Sequence, residues 1–181
     1  MHRQILDSNQ FDITIQRLCF QLIENHGDFS SSVLIGIQPR GAFLAERIVS
    51  RLQQIIQKPV TYGNMDVTFY RDDFGRREML APSPNTMDFI VENKKVVLID
   101  DVLYTGRTIR AALDALLDFG RPQKVELLTF IDRRFSRQLP IASDYVGMEV
   151  DTISTEKVIV HWKETDGLDS VELISTSPAE N

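Results

Sequence analysis

The chain has 181 residues, with 20 Lys and Arg against 26 Asp and Glu and a formal net charge of −6 at pH 7. Hydrophobic residues make up 43%, charged residues 25%, and no apolar run reaches the roughly 18 residues of a membrane span, so disorder, a collagen-like fibre and a membrane-spanning chain are excluded. The single cysteine, Cys19, excludes an internal disulfide. No secretory signal is visible, so we expect a cytoplasmic protein, and the acidic balance argues against nucleic acid as the main partner.

Hydrophobic periodicity predicts alternating helices and strands. In chain order these begin with a helix that has Ser8 or Asn9 as its N-cap and ends at His26, a strand over 33–37, and a helix that follows the 38–41 loop and ends at Lys58. An extended segment over 60–70, a strand over 95–99, a helix over 107–119, a strand over 125–131, and strands over 157–162 and 170–174 follow. This order predicts an α/β fold with a central, mainly parallel sheet flanked by helices and a C-terminal β-hairpin. We expect one domain over 1–174 and a frayed tail over 175–181.

The connection over 71–88 is long, charged and rich in proline. Connections of that length in a compact domain are usually functional lids or disordered segments. The sequence therefore predicts a flexible lid between the extended segment and the next strand.

The most informative stretch follows the strand over 95–99. Two adjacent carboxylates, Asp100 and Asp101, precede a short loop and the sequence Thr-Gly-Arg-Thr at 105–108, where a helix begins. Ligands of parallel sheets bind beyond the carboxyl ends of the strands, and a helix N-terminus offers unpaired N–H groups to anions. This arrangement predicts a phosphate cradle beside acceptors that suit ribose hydroxyls or Mg²⁺. Alternatively, the two acids only stabilise the helix N-terminus through its dipole, which leaves the Thr-Gly-Arg-Thr sequence unexplained.

The same stretch resembles the phosphoribosyl pyrophosphate (PRPP) signature of type I phosphoribosyltransferases. The resemblance implies a PRPP-binding set of Val97, Leu98, Ile99, Asp100, Asp101, Val102, Leu103, Tyr104, Thr105, Gly106, Arg107, Thr108 and Ile109. Further segments occur in the order found in the PyrR family, at 36–41, 66–73, 111–116, 118–122, 139–141 and 144–147. That family comprises bacterial pyrimidine operon attenuators that also act as uracil phosphoribosyltransferases.

The resemblance implies a type I phosphoribosyltransferase fold and conversion of PRPP and uracil to UMP and pyrophosphate. Mg²⁺ would be the cofactor, held mainly through PRPP and also by Asp100 and Asp101. Catalysis would rest on these two acids and Arg40. The remaining implied groups are a pyrophosphate loop of Pro39, Arg40 and Gly41, a lid containing Arg71, Asp72, Asp73, Arg76 and Arg77, and a base pocket of Ile131, Asp132 and Arg133. For Arg40 the alternative is an ordinary surface arginine, and for Arg76 and Arg77 a solvated run of charges.

The family's RNA-binding surface is altered in this chain. Neutral residues stand where the family usually has cations, at Ala142 and Met148. Arg17, Arg134 and Arg137 could contact a pyrimidine leader mRNA or be ordinary surface arginines. Three hypotheses therefore stand: a uracil phosphoribosyltransferase, a UMP-sensing RNA-binding attenuator with little catalysis, and a related transferase acting on a purine or orotate. The resemblance also implies a homodimer or higher oligomer.

Overall fold

A computed structural model describes residues 2–72 and 84–175 of the chain. The strands and helices within these ranges are β1 (His2–Leu6), α1 (Ser8–His26), β2 (Ser32–Ile37), α2 (Arg40–Ile56), β3 (Tyr62–Met65), β4 (Lys95–Leu103), α3 (Arg107–Leu116), β5 (Lys124–Arg134), β6 (Tyr145–Asp151), β7 (Glu156–His161), α4 (Lys163–Asp166) and β8 (Ser170–Ser175). Single 3₁₀ turns occur at Thr68–Tyr70 and Leu117–Phe119.

The main sheet has five parallel strands in the order β3-β2-β4-β5-β6. Its central strand, β4, alternates its apolar side chains between two cores. Val97 and Ile99 pack on the side of α1 and α2, whereas Val96 and Leu98 pack on the side of α3. Successive strand residues point to opposite faces, so a strand covered on both faces is apolar throughout. The predicted parallel sheet flanked by helices is confirmed.

A second sheet has three antiparallel strands in the order β1-β8-β7. The strands β7 and β8 form the predicted C-terminal hairpin, and the connection between them contains α4 and Gly167, whose φ is 82°. Trp162 lies fully buried at the end of β7, with its ring centroid 5.2 Å from that of Phe11 in α1. The small sheet therefore packs on the side of the main sheet that α1 and α2 cover.

Two strands were not predicted, and several boundaries differ. The strand predicted over 95–99 extends to Leu103, because β4 pairs with β5 as far as Leu103 and Asp132. Asp100 and Asp101 consequently lie within the strand instead of beyond it. The edge strands β1 and β6 are both absent from the prediction. Of the predicted tail, Ser175 ends β8, and residues 176–181 lie outside the described residues.

The N-cap of the first helix is a residue other than the one predicted. Its N-cap is Asp7, whose Oδ1 accepts a hydrogen bond from the Gln10 backbone N–H at 2.8 Å, while Gln10 Oε1 accepts from the Asp7 N–H at 3.1 Å. This reciprocal pair is a capping box. The prediction of Ser8 or Asn9 is wrong because the Ser8 hydroxyl instead donates to the Asp169 carbonyl at 2.7 Å.

Candidate active site

A cavity of about 570 Å³ lies at the carboxyl end of β4. Its lining residues are Arg71, Asp72, Asp100, Val102, Leu103, Tyr104, Thr105, Gly106, Arg107, Thr108, Ile109 and Gln138. The structure thus brings most of the predicted PRPP-binding set from Asp100 onward around one space. Val97, Leu98 and Ile99 are instead fully buried within the sheet, where they position the following residues.

One wall of the cavity is the Thr105 loop, defined here as residues 104–108. Gly106 is the N-cap of α3 and has a φ of 92°, which side chains rarely adopt. A Cβ on Gly106 would lie 3.3 Å from Ile141 Cδ1 and 3.4 Å from Leu139 Cβ, so the loop packs closely against the segment after β5. The loop leads directly into α3 and presents the N–H groups and positive dipole of a helix start to the cavity.

Of the paired carboxylates, Asp100 lines this cavity and Asp101 lines an adjoining one. Asp100 is only 8% exposed, and its Oδ1 accepts a hydrogen bond from the Asp101 N–H at 2.9 Å. Burial and the neighbouring Asp101 charge raise the pKa of Asp100 well above its ordinary value, although Arg71 acts in the opposite direction. Burial also raises the pKa of Asp101, against the effect of Arg40. Carboxylates in this condition favour a ligand that supplies hydroxyl donors or positive charge.

Arg40 lies at a second, adjoining cavity of about 310 Å³, which shares Val102 with the first. The second cavity also contains Asp101 and residues 157–160 of β7. The Arg40 guanidinium donates a hydrogen bond to the Val160 carbonyl. The structure therefore places a cation and the second carboxylate between the main sheet and the hairpin.

The predicted loop over 38–41 is shorter in the structure, since Arg40 and Gly41 form the first turn of α2. A cis peptide bond joins Gln38 to Pro39. A Cβ on Gly41 would lie 2.4 Å from the Ile99 carbonyl oxygen, so only glycine lets α2 approach β4 this closely. This contact brings the start of α2 beside the paired carboxylates.

Both ends of the predicted lid contact the main sheet or the site. Arg71 Nη1 donates to Thr108 Oγ1 at 3.0 Å, and Asp72 pairs with Arg107. At the other end, Asn85 Oδ1 accepts from the backbone N–H of Asp66 at 2.7 Å. Three predicted lid residues, Asp73, Arg76 and Arg77, lie outside the described residues.

The side chains of the predicted base pocket do not line either cavity. Ile131 is fully buried in the core because β5 is covered on both faces. Asp132 pairs with Arg137. The Arg133 guanidinium lies 3.9 Å from the centroid of the Tyr104 ring, and its Nη2 donates to the Glu156 carbonyl at 2.8 Å. Asp132 and Arg133 therefore lie one residue layer behind the cavity wall.

The three candidate RNA contacts all have partners within the protein. Arg17 donates to the carbonyls of Val146, at 3.3 Å, and Gly147. Arg134 forms ion pairs with two acidic residues of β6, and Arg137 pairs with Asp132 and donates to the Tyr104 carbonyl. The ion pairs offset the charge of Arg134 and Arg137, whereas the carbonyl contacts of Arg17 occupy its donors and leave its charge unpaired with an acid among these contacts.

Sequence reasoning missed two contributors to the site. Gln138 lines the larger cavity, and Lys157 with the three following residues lines the smaller one. The available signal for Gln138 was its place in a connection that leaves β5 at the carboxyl edge of the sheet. For Lys157 no local signal existed, because the hairpin reaches the site only through tertiary packing.

Comparisons with known proteins agree with this geometry. Residues 1–165 match the model of the phosphoribosyl transferase domain. A hypoxanthine phosphoribosyltransferase from Staphylococcus aureus superposes with a TM-score of 0.67 and 22% identity, covering 93% of this chain and 90% of that one. That of Trypanosoma cruzi gives a TM-score of 0.71 at 15% identity, covering 97% of each chain. Fold and site thus define a phosphoribosyltransferase.

Curated relatives narrow this class. The bifunctional protein PyrR of Actinobacillus succinogenes is 46% identical over 179 residues, which cover 97% of this chain and 99% of the relative. That of Mannheimia succiniciproducens is 47% identical over 179 residues, with the same coverage. The chain belongs to the PyrR family.

The described residues contain neither a helix suited to a membrane nor a cluster of metal-binding side chains. Across 2–72 and 84–175, none of the helices has the length and apolar character needed to cross a membrane. The same ranges contain no cluster of three or more His, Cys, Asp or Glu side chains arranged to hold a metal ion.

Proposed function

We propose that the protein is a uracil phosphoribosyltransferase that converts PRPP and uracil to UMP and pyrophosphate. The observation that carries this proposal is the single cavity in which the Thr105 loop and Asp100 face the same space. A helix N-terminus suits a phosphate group, and carboxylates accept hydrogen bonds from vicinal hydroxyls. This combination fits a ribose 5-phosphate group, and the family membership favours a pyrimidine base.

In this proposal the Thr105 loop binds the 5-phosphate and the two aspartates hold the ribose hydroxyls. As the C1–O bond to pyrophosphate breaks, C1 becomes electron-poor, and the carboxylates stabilise that developing positive charge. Uracil N1 then bonds to C1, and its proton passes to the departing pyrophosphate. Arg40 and Arg71 offer positive charge to the departing pyrophosphate from the two cavities.

Mg²⁺ fits the donor set of the site. This ion usually keeps several waters and is held by one or two carboxylates together with substrate phosphates, which matches Asp100 and Asp101 better than an all-protein cage. When bound, Mg²⁺ would neutralise charge on pyrophosphate. The ion would also place positive charge beside the carboxylates, whose raised pKa values mean that the protein alone stabilises their ionised forms poorly.

The test is steady-state turnover of PRPP with uracil, hypoxanthine and orotate in turn. We expect uracil to be the preferred base, and the double variant Asp100→Asn/Asp101→Asn to lose most turnover while keeping its fold. Asp114→Asn is the control, because Asp114 is a half-exposed acid on α3 that pairs with Arg110. Unchanged kcat/KM for PRPP in the double variant would contradict the assignment, and preference for another base would correct the substrate.

A second candidate is RNA-dependent attenuation, and it is favoured by the word "bifunctional" in the names of the relatives. The net charge of −6 and the internal partners of Arg17, Arg134 and Arg137 oppose it. We expect weak, steeply salt-dependent binding of a pyrimidine leader RNA near 0.15 M salt in the presence of UMP. Tight, UMP-dependent binding that survives excess unrelated RNA would restore this second function. Assembly as a homodimer or higher homo-oligomer remains a prediction, which sedimentation can test.

A further inference from the structure

Residues 137–139, in the connection between β5 and β6, hold the backbone of the Thr105 loop from behind. The Arg137 guanidinium donates a hydrogen bond to the Tyr104 carbonyl. The Thr105 carbonyl accepts from the backbone N–H groups of Gln138, at 3.0 Å, and Leu139, at 3.2 Å. Two consecutive carbonyls of the loop are therefore oriented by one short segment.

This orientation decides where the next N–H groups point. The peptide bonds after Tyr104 and Thr105 are trans. In a planar trans peptide, the C=O and the following N–H point in opposite directions. Because both carbonyls face residues 137–139, the N–H groups of Thr105 and Gly106 point away from that segment. They are then free to serve an anion in the cavity that these residues line.

Side chains of the same segment are themselves anchored. The Arg137 guanidinium, 23% exposed, also pairs with the Asp132 carboxylate, so its position is fixed from β5. Gln138 Oε1 accepts from Arg107 Nε at 2.8 Å, and Arg107 in turn pairs with Asp72. Leu139 packs beneath Gly106, whose added Cβ would lie 3.4 Å from the Leu139 Cβ. The segment thus fixes the backbone of the loop and the first side chain of α3.

We propose that Arg137 and Gln138 are positioning residues for the phosphate-binding loop, which they hold with its N–H groups directed at the 5-phosphate of the substrate. This inference rests on the proposed function for the identity of the ligand. It assigns Arg137 to the active site instead of to an RNA surface. In this inference both residues act through the geometry of the loop and not by contact with the reacting atoms.

The experiment measures affinity for ribose 5-phosphate by calorimetry, and KM and kcat for PRPP, on purified full-length protein. Arg137→Ala should weaken ribose 5-phosphate binding and raise KM for PRPP by about tenfold, the size expected when a hydrogen bond from a charged group is lost, with a smaller change in kcat. Arg137→Lys retains a cation for Asp132 and a donor for Tyr104, and should recover part of the affinity. Gln138→Ala should weaken binding a few-fold, whereas Gln138→Glu keeps an acceptor for Arg107 and should bind like the unmodified protein.

Arg110→Ala is the matched control, because it removes an arginine side chain from the first turn of α3, the helix that follows the Thr105 loop. The Arg110 guanidinium is half exposed and pairs with Asp114 at 2.9 Å, away from residues 137–139. If Arg137→Ala does not fold, Arg137→Lys and Gln138→Ala still provide the comparison. The inference would be overturned if these two variants both bound ribose 5-phosphate as tightly as Arg110→Ala does.

The same titrations separate this inference from the proposed function. Binding of ribose 5-phosphate that depends on Arg137, without turnover of uracil, would support the positioning role and overturn only the proposed reaction. Failure of the unmodified protein to bind either PRPP or ribose 5-phosphate would overturn both. An RNA role for Arg137 alone would leave the affinity for ribose 5-phosphate unchanged and would also count against the inference.

Discussion

The pKa values of buried carboxylates shift in opposite directions at the two ends of the parallel sheet. At the carboxyl end, Asp100 lies beside another acid, and burial together with that neighbour raises its pKa. At the amino end, Glu126 of β5 is surrounded by donors. Its Oε2 lies 2.8 Å from His26 Nε2 and accepts from the Tyr145 hydroxyl at 3.1 Å, while Oε1 accepts from Lys124. Burial opposes ionisation of Glu126, but these contacts lower its pKa below the ordinary value.

This difference separates structural from functional polar groups. Glu126 obtains its donors from the protein, so its ionised form already has partners in the folded chain. The Asp100–Asp101 pair gains most from partners that a ligand brings, namely hydroxyl groups or a cation. A buried acid with a raised pKa at a cavity is therefore a better indication of a binding site than burial alone.

The largest expected effect lies at the amino end. Glu126→Gln removes the buried carboxylate that accepts hydrogen bonds from Tyr145 and Lys124 and faces the 1% exposed side chain of His26. It should lower the free energy of unfolding by about 2–3 kcal/mol, the size expected for hydrogen bonds to a charged group. KM for PRPP should not change. Urea unfolding at pH 7 measures the first quantity and steady-state kinetics the second. Glu149→Gln, at a half-exposed acid paired with Arg134, serves as the control and should cost no more than about 1 kcal/mol.

Asp100→Asn should show the reverse pattern. Under the proposed function Asp100 binds ribose hydroxyls, so loss of its carboxylate is expected to lower kcat/KM for PRPP about a hundredfold. The folded state disfavours ionisation of Asp100, so removing its charge should leave the melting temperature at neutral pH unchanged or higher. Calorimetry and kinetics on one preparation check both. A lower melting temperature with normal turnover would mean that Asp100, like Glu126, stabilises the fold and does not bind substrate.

Much of the fold and part of the site could be predicted because they depend on patterns within short segments of the sequence. The central strands are apolar throughout, since both faces are covered, and the Thr-Gly-Arg-Thr sequence at 105–108 marks a helix start beside two acids. The edge strand β6 lacked such a signal, because most of its residues are exposed or half buried. Edge strands are paired through their backbones, which leaves little pattern in the side chains.

The rest of the site depends on contacts between distant segments. Gln138 reaches the Thr105 loop through a connection whose path depends on the pairing of β6 with β5. Lys157 reaches the second cavity because Trp162 packs its hairpin against α1. The roles that the family motif implies for the loop, the carboxylates and the base pocket stay predictions, and for Ile131 the structure shows a side chain that packs in the core.

Gly106→Ala should produce a smaller, mixed effect. An alanine at a φ of 92° is strained by about 1–2 kcal/mol, and its Cβ would press on Ile141. We expect lower stability and a KM for PRPP raised several-fold. Gly167→Ala is a matched control, because Gly167 has a φ of 82° in the hairpin connection, with nothing within 4 Å of an added Cβ. It should lose similar stability with an unchanged KM. Equal changes in KM for PRPP in both variants would show that the conformation of the Thr105 loop does not determine PRPP binding.

The smallest expected effect is a pH dependence of stability that arises from His26. Burial lowers the pKa of His26, and the nearby Lys95 and Lys124 act in the same direction, against the opposing effect of Glu126. The Nδ1 atom lies 2.8 Å from Ser32 Oγ, and the hydroxyl donates to the neutral ring. As the pH falls below about 6.5, the unfolded chain takes up a proton on this residue before the folded chain does.

The sign of the effect follows from that order of protonation. Because the unfolded state then binds more protons, the free energy of unfolding should decrease with falling pH, by at most about 1.4 kcal/mol per unit, until the folded state is also protonated. Melting temperatures recorded between about pH 7 and pH 5 would show the decrease. His26→Gln should flatten that slope, whereas His2→Gln, at a residue with a 70% exposed side chain, should retain it. Identical slopes for the unmodified protein and His26→Gln would mean that the cluster at the amino end does not titrate, and that the contrast between the two ends rests on Glu126 alone.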